Sequence, residues 1–176
     1  MSRPVITPPP GAALWTRRYN GPANGTDQPS SVAASPSGDM VYVTGDSAGS
    51  TSKDDYLTVG YNATTGARLW TRRYDGPGHN TDHAVCMAIS PTGGTVYVSG
   101  YSTASSGIDY ATAAYNAATG ASQWVKRYNG PGNSTDAAHS VATNPSTGAV
   151  YVTGLSYGPP LNGTYFTDYL TVAYSG

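Results

Sequence analysis

The chain contains no glutamate; its ten acidic residues are all aspartate. With 22 glycines and 13 prolines as well, there is little material for helices. A single cysteine, Cys86, excludes an internal disulfide framework. No apolar run approaches the roughly 18 residues of a membrane-spanning helix. Charged residues make up only 11%, the net charge is −1 and the pI about 6.2. That balance carries no footprint for nucleic acid or an anionic membrane. The opening MSRPVITPPP has no apolar centre, so this chain shows no signal peptide, which says little about compartment.

What the chain has is tyrosine, 15 residues of it, with valine and threonine between the turns. This is strand composition. It also has a repeat. GARLWTRRYDGP at Gly66 leads to VYVSG at Val96–Gly100; GAALWTRRYNGP at Gly11 leads to VYVTG at Val41–Gly45; GASQWVKRYNGP at Gly120 leads to VYVTG at Val150–Gly154. Trp15, Trp70 and Trp124 are 55 and 54 residues apart, as are Asp27, Asp82 and Asp136. A fixed period of this length with four short strands per unit marks the blade of a β-propeller.

Each strand then has a task. The innermost needs small side chains, met by Ala33, Ala88 and Ala142. The second, VYV, is β-branched and central. The third opens on Asp55-Tyr56, Asp109-Tyr110 and Asp168-Tyr169. The outermost carries Trp15, Trp70 and Trp124, and Tyr19, Tyr74 and Tyr128, on one face by period-two spacing, where the rings pack between blades. The expected organisation is a Pro-rich lead-in at 1–10 and a propeller module at 11–176. Within it 31–74 and 85–128 are whole blades, 140–174 supplies three inner strands, and 11–20 is a lone outer strand.

Three blades do not close a ring, because propellers use about four to eight. Open blade faces invite assembly. Two copies give six blades, with residues 11–20 of one completing the last blade of the other; this homodimer is the leading expectation. A homotrimer of nine blades is the alternative, and a piece of a longer propeller a third.

Three repeat segments resemble the bacterial SBBP-type β-propeller repeat family. They are Arg72-Arg73-Tyr74-Asp75-Gly76-Pro77, Val96–Gly100 and Asp109-Tyr110-Ala111-Thr112, with their counterparts. The resemblance covers nearly the whole chain after residue 10. It implies a propeller in a secreted or surface-associated bacterial protein, and no fixed chemistry. Asn62–Trp70 and Asn116–Trp124 are similar to the tryptophan-docking motif of quinoprotein propellers. Asn62/Asn116 and Ala67/Ala121 stand where those proteins usually have Asp and Lys. No quinone-site constellation accompanies the motif, so no cofactor is expected.

His79-Asn-Thr-Asp-His83 looks like a metal cluster, but its histidines do not recur in Asn24–Gln28 or Asn133–Ala137, and no metal site is expected. Asp27, Asp82 and Asp136 are either a ring of ligands at the channel mouth or turn caps that accept backbone N–H bonds. Recurrence favours the cap. No nucleophile elbow is present, and without glutamate nothing singles out a glycosidase pair. Cys86 replaces the Ser31 and Ser140 of the other copies and reads as a buried small residue.

The expectation is therefore a non-enzymatic scaffold or interaction module with itself as first partner. A carbohydrate-binding, lectin-like propeller is the alternative, with a glycan or protein ligand; a fragment of a quinoprotein-like enzyme is the distant third. The loops 20–30, 75–84 and 129–139 share one face with 46–54, 101–108 and 155–167. The ligand-binding candidates there are Asn24, Asp27, His79, Asp82, Asn133, Asp136, Tyr101, Tyr157 and Tyr165.

Overall fold

The computed structural model describes residues 8–105 and 107–176. Residues 1–7 of the expected lead-in lie outside them. The fold is all-β: three antiparallel sheets follow one another along the chain. The first blade is β1 (Asp27–Ala34), β2 (Met40–Ala48), β3 (Asp54–Asn62) and β4 (Arg68–Tyr74). The second is β5 (Asp82–Ile89), β6 (Thr95–Ala104), β7 (Gly107–Asn116) and β8 (Ser122–Tyr128). The third has β9 (Asp136–Thr143), β10 (Val150–Tyr157) and β11 (Thr167–Tyr174), in the order β11-β10-β9.

Strands pair in sequence order because short polar turns join them. The β3–β4 turn shows how. Asn62 Oδ1 accepts the amides of Thr64 and Thr65, and the Gly66 amide returns to the Asn62 carbonyl. Asn116 repeats the arrangement with Ala118 and Thr119. Each inner strand carries a bulge, at Pro29/Ser31, Ala84/Cys86 and opposite Thr153/Gly154. The bulge turns the His83 carbonyl over Gly100, leaving no room there for a Cβ. This is why a glycine closes every VYV segment.

Apolar side chains of each blade meet the next. Tyr42, Tyr56 and Trp70 of the first blade pack with Met87, Val96, Val98, Ala111 and Tyr115 of the second. Tyr97, Tyr110 and Ala114 then pack with Ala138, Val150 and Val152 of the third. Val96, Val98, Val150 and Val152 are fully buried. At about 1.5–3 kcal/mol per buried side chain, these two layers dominate the stability.

The inner strands begin at the aspartates, three or four residues before the expected 31, 85 and 140. Within one chain the segment 11–20 forms no strand. It is held by side chains instead. Trp15 Nε1 donates to the Ala63 carbonyl at 2.8 Å, Arg17 Nε to the Gly66 carbonyl at 2.8 Å, and Tyr19 covers Leu57, Val59 and Tyr61. Trp70 and Arg72 grip the second blade in the same way, through the carbonyls of Ala117 and Gly120. Residues 11–20 thus stand where the outer strand of a preceding blade would stand.

Candidate functional site

The loop face is built from the blade junctions upward. The two sets of loops are tied together: Ala48, Thr103 and Tyr157 donate their amides to the carbonyls of Thr26, Thr81 and Thr135. Behind them runs a repeated polar relay. Asp27, Asp82 and Asp136 each accept, through Oδ2, the amide of Gly21, Gly76 or Gly130 at 2.6–2.9 Å. Arg73 bridges Asp55 at 2.6 Å and also bonds Ser47; Arg127 bridges Asp109 at 2.7 Å and bonds Ser102. A guanidinium suits this place, since its planar fork serves a carboxylate and carbonyls together.

This geometry corrects part of the candidate set. Asp82 and Asp136 are fully buried and committed to backbone amides, so they do not form a ring of exposed ligands. Burial raises the carboxyl of Asp82 above the ordinary range, opposed by its hydrogen bonds. Asn24, His79 and Asn133 hold left-handed turn positions, with φ of 51°, 46° and 45°. The Asn24 and Asn133 side chains bond Asn20 and Asn129. Their first duty is to shape the turn.

The two histidines of the expected metal-like cluster turn to different partners. His79 Nδ1 meets Asp75 at 2.7 Å, and that bond raises its pKa. His83 Nδ1 pairs with Asp46 across the junction of the first two blades, and the centroids of the His83 and Tyr101 rings are 5.0 Å apart. Burial pushes the Asp46 carboxyl up, and the His83 bond pulls against it. Asp46 was invisible to the repeat comparison, because its counterparts are Tyr101 and Leu155. Its departure from them was the available signal. Carboxylate oxygens of Asp55, Asp75 and Asp82 come within 4.8 Å of one another. Arg73 already neutralises Asp55, and Asp75 is asparagine in the other copies, so a cation there would displace existing partners.

Of the expected 155–167 loop, residues 155–157 belong to β10, and residues 159–166 are exposed. Tyr157 and Tyr165 make an edge contact at 6.3 Å, and Leu161, Tyr165 and Phe166 are exposed. A second concavity, a cleft of about 370 Å³, lies on the open side of the first blade. Trp15, Arg18, Tyr19, Val43, Leu57 and Tyr61 line it.

A family model, described as outer membrane protein assembly factor BamB, matches residues 5–158. The chain belongs to that family. BamB-like membership and the three sheets agree on a propeller built of repeated blades. No curated protein matches the chain. Among solved structures it resembles the WD40 repeats of RRP9, with 16% identity and a TM-score of 0.51 over 71% of this chain and 32% of that one. Hydrazine synthase of Kuenenia stuttgartiensis matches at 17% identity and a TM-score of 0.49, covering 71% and 39%. The periplasmic gluconolactonase PpgL of Pseudomonas aeruginosa matches at 17% and 0.44, covering 75% and 38%. The chain thus spans 32–39% of the length of these structures. At such identity the RRP9 likeness concerns the fold alone.

Proposed function

We propose that this BamB-like chain is a non-enzymatic propeller scaffold that assembles with itself into a ring, two copies supplying six blades. One observation carries the reading. Tyr42 and Tyr97 are 1% and 2% exposed, but their counterpart Tyr151 is 42% exposed. Tyr56 and Tyr110 are 1% and 0% exposed, whereas Tyr169 is 100% exposed. The third blade presents to solvent the same aromatic face that the first two bury. Such a face is an interaction surface. The recurrent aspartates each hold a partner of their own blade through Oδ2, which supports a structural rather than a catalytic role. The repeats read as SBBP-type, with Trp70 docking blade to blade, and the family description as an assembly factor supports contact with proteins at the bacterial cell envelope. Light scattering on a sizing column tests the proposal: the expected mass is twice 18.1 kDa. Three times that value replaces six blades by nine, and a stable monomer at every concentration overturns self-assembly.

A second reading is favoured by the 155–167 loop. Tyr165 and Phe166 are exposed beside the half-buried Tyr157, and aromatic surface of this kind can stack on sugar rings. A glycan array would show binding that Tyr157→Ala or Tyr165→Ala abolishes. Binding that survives both substitutions removes this reading.

A further inference from the structure

We infer that a second copy of this chain docks head to tail in a fixed register. Tyr169 enters the cleft of the first blade, and Arg18 pairs with Asp168 and Ser156. The inference rests on the self-assembly reading and specifies its contact.

The chain prints the contact twice. Tyr56 reaches across to the second blade, where its hydroxyl donates to the Ala111 carbonyl at 3.1 Å. Tyr110 does the same to the Leu170 carbonyl of the third blade at 3.3 Å. Tyr169 is next in this series, and the carbonyl next in the series is that of Leu57, which lines the open cleft. The fit is one of kind as well as place, because the cleft is walled by Val43, Leu57, Val59 and Tyr61.

The charges are complementary too. In the first two blades an arginine of the outer strand pairs with the aspartate and serine of strands three and two: Arg73 with Asp55 and Ser47, Arg127 with Asp109 and Ser102. The third blade has Asp168 and Ser156 at those positions. The matching arginine is Arg18, on the segment docked against the first blade. Arg18 and Asp168 are both exposed, and neither makes an ion pair among the described residues. Two whole blade junctions separate them within one chain, so only a second copy brings them together. Alignment of β11 with β3 gives the register Tyr169↔Tyr19, Leu170↔Arg18 and Thr171↔Arg17, copied from Tyr56↔Tyr74, Leu57↔Arg73 and Thr58↔Arg72. Two such contacts close a dimer.

The test is a double-mutant cycle on association, read by analytical ultracentrifugation. Arg18→Ala and Asp168→Ala each weaken association roughly tenfold, and the double variant is no weaker than the worse single one, because both remove one contact. Tyr169→Ala weakens association and leaves monomer unfolding unchanged, since its ring is fully exposed. A dimer in which the Arg18 and Asp168 effects multiply, or in which all three variants associate like the parent, overturns the register and leaves self-assembly standing. A monomeric parent protein overturns both.

Discussion

Gly120→Ala isolates what holds one blade to the next. The Trp70 indole lies between Gly60 of its own blade and Gly120 of the following one. A Cβ built on Gly120 falls 2.6 Å from two indole carbons, and one on Gly60 falls 2.5 Å away. Ordinary carbon contacts need about 3.5–4.0 Å, so the ring must retreat by roughly 1 Å. Retreat draws Nε1 away from the Ala117 carbonyl, now bonded at 2.9 Å. Overpacking of this kind costs about 1–3 kcal/mol. Gly120 also has φ of +68°, and an L-residue there adds about 1–2 kcal/mol. The total is about 2–5 kcal/mol. Gly38 supplies the control: its φ is +76°, with nothing within 4 Å of its Cβ site. Gly38→Ala therefore costs only the backbone part, about 1–2 kcal/mol. Urea unfolding followed by circular dichroism measures both. Equal losses at the two positions would refute the claim that the indole, rather than the turn, locks the blades.

Three other outcomes follow from the same contacts. Arg73→Met leaves the Asp55 carboxylate, 3% exposed, without its guanidinium and lowers stability by about 3 kcal/mol in urea unfolding; a loss under about 0.5 kcal/mol would show the pair to be idle. The His79 imidazole titrates above 6.5 by NMR, and Asp75→Asn returns it to the ordinary value. Because the folded pKa is the raised one, its contribution to stability is full below 6.5 and fades as pH rises through the raised value; an unchanged titration in the Asn variant contradicts the pairing. Burial pushes the Cys86 thiol up to about 12 from 9.0, so native protein holds about a thousandfold less thiolate than unfolded protein; rapid native alkylation at pH 8 would contradict that burial.

The repeat makes the propeller legible in the sequence. Trp70, Tyr56 and the VYV segments recur because each blade junction poses the same packing problem. Their burial follows from position in the period. The bulge at Ala84/Cys86 was not legible, since a bulge is a property of two strands while the sequence shows only the glycine that accommodates it. The start of β5 at Asp82 was hidden as well. Aspartate is poor strand material, and here the Gly76 amide holds one carboxylate oxygen of Asp82, Oδ2. The Asp46–His83 pair escaped for the opposite reason: neither residue recurs, and a comparison of copies averages such positions away. The unequal exposure of Tyr56, Tyr110 and Tyr169 has no local signature, because it depends on which blade has a neighbour.

Hydrogen exchange on the native protein tests the covered-face account most directly. Among the described residues, the outward amides of β11 and those of residues 13–19 have no ladder partner within one chain. If a second copy closes the ring, both segments exchange slowly at high protein concentration and quicken together on dilution. Exchange at the rate of unstructured chain, at every concentration, would contradict closure by a second copy.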